Sequence, residues 1–539
     1  MAKFVIGIDY GTLSARAVLA DQAGNVVSQA EYVYPHAVMG SDAFPGEEIL
    51  KTDAFQHPQD YLDALSSVIG DVLRAGNVDA AEVAGLGIDF TSCTPLPVLE
   101  DGTALCCIPA YEGNPQAYPK LWKHNSAQKE ADAITKLARE TGAPHLEYYG
   151  KISAEWFFPK LWETYRKAPQ VLADCHRYME AGDWLTYLLT GREVKSACFA
   201  GYKAQWNKKD GFPSKEFWKK LDPGFADVVE AKVGKSVQPT GSLAGYLNEK
   251  GSLLTGLPQG VSVAVPIIDA HASLPAAGIT DAGEMVLITG TSSCQLTLST
   301  GDTPVAGISG SVKNGVLPGF MAMEAGQAAV GDTFRWFVDQ CMPEDYAREA
   351  RDRNMSPFAL LTEKAEKLRP GQSGLLAIDW FNGNRVPYAD ADLTGVILGL
   401  TLHTKPEEIF RALIEATAFG TKAVVDTFEQ NGVRVQRVYA AGGISHKNPF
   451  MMQLYADVLG KEIRIVPTAQ ATAKGSCMLA AAAAGLYPDV ISAVQAMADP
   501  WEISYAPNME HHEKYLRIYE QYKRMSAFFA EDPVLKELK

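Results

Sequence analysis

The sequence predicts an α/β protein made of two similar lobes that face each other. Three observations carry this. The 539 residues exceed what a single hydrophobic core organises. A strand, a Gly-Thr turn and a returning strand, "FVIGIDYGTLSARAVLAD" at 4–21, recur in layout as "GEMVLITGTSSCQLTLSTGD" at 283–302, which points to duplicated lobes. From about residue 405 helical and strand patterns alternate, the signature of an α/β architecture.

The elements follow in order. The first 35 residues read as a three-strand meander, with "DQAGN" turning the second strand into the third. A helix is expected at about 58–76, where Pro58 suits the first turn. The apolar run "AGLGIDF" then ends in a carboxylate, Asp89. Trp-rich helical material fills about 115–222, and Gly191 after "DWLTYLLT" is a helix stop. Most of Trp156, Trp162 and Trp184 are expected in the core. Gly and Pro punctuate 239–260, so the lobes are divided as 1–255 and 256–539. Beyond this passage "VSVAVPIIDAHAS" is a strand ending in Asp269. A long amphipathic helix at about 405–430, the strand "VQRVYAAGG", the helix "NPFMMQLYADVLG", the strand "EIRIVPT" and an Ala-rich helix at about 472–485 complete the second lobe. The tail from about 508 reads as a helix.

Composition narrows the function. The chain is 47% hydrophobic with a net charge of −15 and no dense Lys/Arg block, which argues against nucleic-acid or anionic-membrane binding as a general activity. The eight cysteines (93, 106, 107, 175, 198, 294, 341 and 477) form no C-x-x-C pair and read as thiols of a reducing compartment. The first strand begins at Phe4, leaving no room for a signal peptide, and "CMLAAAAAGLY" is too short to span a membrane. The expectation is a cytoplasmic protein.

No P-loop, no G-x-G-x-x-G after a strand and no H-E-x-x-H occurs, so any phosphate cradle must be of another kind. The first Gly-Thr turn is one candidate. Gly11 lets the backbone approach, Thr12 and Ser14 offer hydroxyls, and Arg16 offers charge for a terminal phosphate. Asp9 can hold Mg²⁺, through water because that ion sheds hydration reluctantly. The plain alternative is an ordinary hairpin. Asp269 is either the N-cap of a helix beginning at Ala270 or a general base for a substrate hydroxyl, and both roles are compatible. Two further glycine turns, Thr289-Gly290-Thr291 and Gly442-Gly443, follow strands where α/β proteins gather ligands. Their alternative is a simple connection, with Asn448 capping a helix that starts at Pro449.

Long blocks in a consistent order carry a resemblance: "GIDYGTLSARAVL", "GIDFTSCTPLPV", "KLWKHNSAQKEAD", "GKISAEWFFPKLWE", "EAGDWLTYLLTG", "IIDAHAS", "TGTSSC", "DWFNGNRVPYADADLTGVILGLTLHTKPEEIFRALIEATAFGT" and "GGISHKN". The sequence resembles the FGGY carbohydrate kinases of the actin, Hsp70 and sugar-kinase superfamily, within them most the ribulokinases, over nearly its whole length. The resemblance implies two actin-like (ribonuclease H-like) domains with a central cleft, ATP entering from one side and sugar from the other. It implies Asp269 as catalytic base and second metal neighbour, Asp9 as organiser of Mg²⁺, and Arg16 as the residue steadying the transferring charge. Gly11, Thr12, Ser14 and Arg16 then form the first phosphate loop, Thr289, Gly290 and Thr291 the second, and Gly442, Gly443 and Asn448 the adenosine contact. Ser92, Lys203, Asp269 and Glu324 are implied sugar contacts, Ser92 standing where relatives carry a small Gly or Ala. A charged Lys–carboxylate set suits a polyol without the analogy, because it rejects anything that leaves those groups unpaired.

The expected activity is ATP- and Mg²⁺-dependent phosphorylation of ribulose, L-ribulose favoured, at its terminal 5-hydroxyl. The rivals are a kinase for xylulose, ribitol or glycerol, an actin- or Hsp70-like ATPase acting on proteins, and a catalytically dead sugar-binding regulator. Sugar and ATP are the expected partners, with no nucleic acid and no membrane, and a homodimer is compatible with the chain.

Overall fold

The computed structural model describes residues 3–467 and 470–538. Its first sheet opens as the expected meander: β1 (Phe4–Tyr10), β2 (Ser14–Asp21) and β3 (Val26–Val33) pair antiparallel in turn. Helix α1 (Pro58–Gly76) follows, with Pro58 in its first turn and the His57 side chain accepting the Gln59 N–H. It ends at Asn77, which takes the left-handed conformation (φ 50°) that frees the chain to turn back. Tyr61, Ala64, Leu65, Val68, Ile69 and Val72 make one apolar face of α1 and are all buried. Strand β4 (Val83–Phe90) then lies parallel to β1.

The Trp-rich segment forms helices between β4 and the next strand of this sheet, among them α2 (Phe157–Lys167) and α3 (Ala197–Lys203). Trp156, Trp162 and Trp184 are buried there as expected, and Gly191 ends its helix in the left-handed conformation (φ 69°). Strands β5 (Leu243–Tyr246), β6 (Ser262–Ala264) and β7 (Ile267–Ile268) complete the sheet, in the order β3-β2-β1-β4-β6-β5 with β7 beside β4. Helix α4 (Asp269–Ala276) springs from the end of β7.

The second sheet repeats the plan. β8 (Glu284–Thr289) and β9 (Ser293–Ser299) form the second hairpin. β10 (Gly310–Lys313) and β11 (Met321–Gln327) extend it antiparallel. Helix α5 (Pro406–Gln430) then carries the chain to β12 (Arg437–Ala441), which is parallel to β8 as β4 is to β1. Helix α6 (Pro449–Leu459) and β13 (Ile463–Ile465) follow. The last residue of the expected "EIRIVPT" strand, Thr468, lies outside the described residues. β14 (Ser504–Tyr505) closes the edge, and the order is β10-β11-β9-β8-β12-β13-β14.

One element crosses between the lobes. Helix α7 (Ala471–Ala483) follows β13 in the chain yet packs on β1 and β4 of the first sheet. The approach is backbone to backbone: a Cβ at Gly7 would stand 1.9 Å from the Ala473 carbonyl oxygen, and one at Gly87 2.0 Å from that of Ser476. Glycine inside a strand marks such close approach. Ala473, Cys477, Met478 and Leu479 of α7 accordingly share a core with Val5, Ile6 and Ile88. β6 and β7, also beyond residue 255, belong to the first sheet as well. The second core gathers Met285 and Leu287 of β8 with Phe410, Leu413 and Phe419 of α5 and Tyr515, Tyr519 and Tyr522 of the C-terminal helix α8 (Met509–Glu531). Among the described residues no helix is long and apolar enough to cross a membrane.

Candidate active site

Three strands of the first sheet bring carboxylates to the same edge, at or just past their C-terminal ends. Asp9 of β1 is in register with Asp89 of β4, and Ile267 of β7 pairs with Asp89, so Asp269 stands two residues beyond that level. Parallel neighbours bring equivalent positions together, and the carboxylates are close enough to repel. Burial, then the Asp9 charge, pushes the Asp269 carboxyl up to about 7. Burial and the same neighbour raise Asp89, which is fully buried and accepts a 2.7 Å hydrogen bond from the Ser476 hydroxyl of α7. Such a set of oxygens fits a hard cation, whose charge relieves the repulsion. Asp269 opens α4 rather than preceding it: Ile268 is the capping position, and among the described residues the carboxylate accepts only the neighbouring Ala270 N–H, at 2.6 Å. The second oxygen is left for chemistry.

A second cluster adjoins the first. Glu324 on β11 accepts from Lys203 Nζ at 3.3 Å and lies 3.2 Å from His271 Nε2. Lys203 ends α3 and His271 belongs to α4, so this one carboxylate ties the second sheet to elements of the first lobe. Burial works against ionised Glu324, but the Lys203 charge and the His271 hydrogen bond hold it well below the usual carboxylate range. Burial likewise opposes the Lys203 charge, and Glu324 more than restores it, raising Lys203 above its ordinary value. Ser92 lies beyond the end of β4, its hydroxyl buried without a hydrogen-bond partner. The loop bearing it is clamped by two buried charges. Lys160 donates to the carbonyls of Cys93, Lys120 and Leu121 at 2.7, 3.3 and 2.8 Å, and Glu180 accepts from the Cys93 thiol and the Thr94 N–H. Neither was singled out from sequence.

The glycine turns are arranged as follows. In the first, Gly11 N–H donates to the Ser14 carbonyl, closing the β1–β2 hairpin. Thr12 is fixed twice: its carbonyl accepts from Gln56 and its hydroxyl from the Trp122 indole N–H at 3.1 Å. The Thr12 hydroxyl retains its own proton to donate. Ser14 and Arg16 both address Glu31, at 2.8 and 3.0 Å, while Arg16 stands 3.8 Å from Asp9. Glu31 faces Arg16 across β2 and β3 and is half exposed, so a phosphate competes with an ion pair of about 1 kcal/mol or less. In the second turn the Thr289 hydroxyl is buried and unpartnered, Gly290 donates to Ser292, and Thr291 is exposed. The third turn abuts the second, because Ile288 and Ala441 are in register. Gly442 has φ 95°, and a Cβ there would meet the Thr289 carbonyl oxygen at 2.4 Å, so only glycine fits. Gly443 is exposed, and Asn448 caps α6 by accepting the Met451 N–H.

Comparison with known proteins accords with this geometry. The C-terminal domain model of the FGGY family of carbohydrate kinases matches residues 285–484. A ribulokinase of Geobacillus thermodenitrificans is 43% identical over all of this chain and 97% of its own length. The chain belongs to the FGGY family of carbohydrate kinases. A ribulokinase of Bacillus licheniformis is 44% identical over 98% of the chain and 97% of its own length, and one of Mycolicibacterium smegmatis 40% identical over 100% and 96%. Among solved structures, a xylulose kinase from Rhodospirillum rubrum aligns with a TM-score of 0.78 at 23% identity, covering 98% of this chain and 100% of its own. A gluconate kinase from Lactobacillus acidophilus gives 0.80 at 18%, covering 98% and 99%. The two sheets are thus the two actin-like domains of this family. Membership makes the protein a carbohydrate kinase and implies the use of ATP.

Proposed function

We propose that this kinase phosphorylates ribulose, L-ribulose by preference, at the terminal 5-hydroxyl, giving ribulose 5-phosphate in pentose (arabinose) catabolism. The observation that carries the reading is the adjacency of Asp269 to the Lys203–Glu324–His271 cluster, which sets a base beside a polyol-recognising group. That the relatives at 40–44% identity are ribulokinases supports the choice of sugar.

In this reading Ser92, Lys203 and Glu324 bind the sugar hydroxyls. The unpartnered Ser92 hydroxyl favours a substrate that supplies a partner. Asp269 accepts the proton of the 5-hydroxyl while that oxygen attacks the terminal phosphorus of ATP and ADP departs. The transition state is loose, so placing the hydroxyl matters more than the strength of the base. Thr12 and the glycine amides of the three turns orient the triphosphate, and Arg16, released from Glu31, faces the transferring charge. Asp9 and Asp269 would hold Mg²⁺, which supplies charge neutralisation between the phosphoryl oxygens. The sugar side falls to 1–255 and the nucleotide side to 256–539, with Asp269 and Glu324 reaching the sugar from beyond residue 255.

The test is a panel of L- and D-ribulose and both xyluloses with coupled detection of ADP. L-Ribulose is expected to give the highest kcat/KM. Preferential turnover of a xylulose transfers the assignment to that sugar, and ATP hydrolysis indifferent to any sugar removes it.

A further inference from the structure

The cluster assigned to the sugar carries one donor, the Cys294 thiol, that sugar binding and phosphoryl transfer leave without a role. His271, Cys294 and Glu324 each bring a ligand atom within 4.8 Å of the other two. The second sheet arranges two of them. Glu324 of β11 is paired with Leu296 of β9, and Cys294 lies two residues back along that strand, so both side chains leave the same face. Opposite Cys294 stands Gly326, which adds no side chain to crowd the thiol. The third donor is aimed by its surroundings. His271 Nδ1 lies 3.1 Å from the Cys198 thiol, the Tyr202 ring packs edge-on at 4.4 Å, and Nε2 is turned to Glu324 at 3.2 Å. An imidazole anchored through one nitrogen while the other faces a ligand position is how metal-bound histidines are held.

A polyol makes no use of a thiol. Nitrogen, sulfur and oxygen donors together suit a borderline-soft dication such as Zn²⁺, whereas Mg²⁺ takes oxygen. Zinc bond lengths of about 2.0–2.3 Å require the three atoms to close to about 3.3–3.8 Å of each other, a side-chain rotation rather than a backbone change. Lys203 is the competitor, because its ammonium occupies the same Glu324 oxygen that His271 addresses. A dication beside that ammonium repels it, so bound metal weakens the Lys203 contact as it engages Glu324.

We propose that His271, Cys294 and Glu324 form an inhibitory site for Zn²⁺-class cations that overlaps the sugar pocket, so that metal and sugar exclude each other. The inference rests on the assignment of Lys203 and Glu324 to the sugar. It is tested on the full chain without nucleotide by adding Co²⁺ and recording the thiolate-to-cobalt charge-transfer band in the near ultraviolet. A band of one equivalent is expected, bleached by Zn²⁺, diminished by L-ribulose, and absent in both Cys294→Ala and Cys294→Ser. In steady-state assays with buffered free Zn²⁺ and excess MgATP, the sugar KM is expected to rise at least tenfold with kcat unchanged. The folded Cys294 variants are expected to need at least tenfold more Zn²⁺ for the same effect. No band, a band that survives both Cys294 variants, or inhibition that sugar does not relieve overturns the proposal. If the panel above names another sugar, the competition is read with that sugar, and the cobalt band is judged independently of it.

Discussion

Replacing Asp269 by Asn separates its two properties, because the group assigned to the chemistry is also one whose charge the fold disfavours. Asn keeps the oxygen that accepts the Ala270 N–H and removes the charge and the proton-accepting capacity. A positioned general base contributes about 10²- to 10⁴-fold, so kcat should fall by that factor, about 3–5 kcal/mol in barrier height. Stability should move the other way. With the folded-state pKa raised from 3.8 to about 7, the folded protein binds more protons than the unfolded chain between those values. Stability is therefore lost as pH rises from about 4 to about 7 and stays lost above. Three pKa units set a ceiling of about 4 kcal/mol, and the part of Asp269 left open to the cleft trims this to about 1–3 kcal/mol. At pH 8 the Asn variant should gain that stability in urea denaturation, and near pH 4 it should match the parent. In the parent, kcat/KM should climb tenfold per pH unit below about 7 and level off above, while the variant's residual rate shows no such limb. Near-parental turnover in a folded Asp269→Asn would refute the base assignment. A stability loss at pH 8 would refute the electrostatic account.

Three further perturbations bear on other parts of the molecule. Gly87→Ala sets a Cβ 2.0 Å from the Ser476 carbonyl oxygen and should cost about 1–3 kcal/mol or more by overpacking α7 on the first sheet, read from the urea midpoint. A cost below about 0.5 kcal/mol would mean that the helix shifts freely. Lys160→Met leaves three buried carbonyls without their ammonium and should cost about 2–5 kcal/mol in stability. Its sugar KM should rise about tenfold with the KM for ATP within twofold, since the clamp holds the Ser92 loop; equal changes in both would argue against that role. Glu324→Gln removes the charge that holds Lys203 and should raise the sugar KM by at least tenfold, about 1.4 kcal/mol, measured alongside sugar-independent ATP hydrolysis. An unchanged sugar KM would take Glu324 out of the pocket.

Much of this architecture was legible because its signals are local. An apolar run broken by a polar residue and then a Gly-Thr turn needs only neighbouring residues to be read, and both hairpins form where that pattern stands. Helix α1 follows from Pro58 at its start and α5 from its amphipathic spacing, and α8 forms where the tail reads as helical. What escaped depends on register and on distance along the chain. Glu31 engages Arg16 and Ser14 only because β2 and β3 align as they do, and the place of Asp89 beside Asp9 requires knowing that β1 and β4 are parallel neighbours. The Ala-rich α7 has no distinct apolar face to announce its partner. Its docking was written in Gly7, Gly85 and Gly87, alternate strand positions too small for anything but another backbone. The carbonyl clamp of Lys160 joins segments 39 to 67 residues apart, and no spacing rule reaches that far.

The crossing of α7 bears on how the molecule can be taken apart. A protease cut in the Gly/Pro-rich passage at 239–260 severs one covalent connection but leaves the first sheet covered by a helix that belongs to the other fragment. The two pieces should stay together as a nicked complex through gel filtration and separate only in denaturant. The amino-terminal piece expressed alone would present a bare glycine-lined sheet face in search of a backbone. Co-expression with the carboxyl-terminal piece, rather than truncation, is the route by which this enzyme can be split.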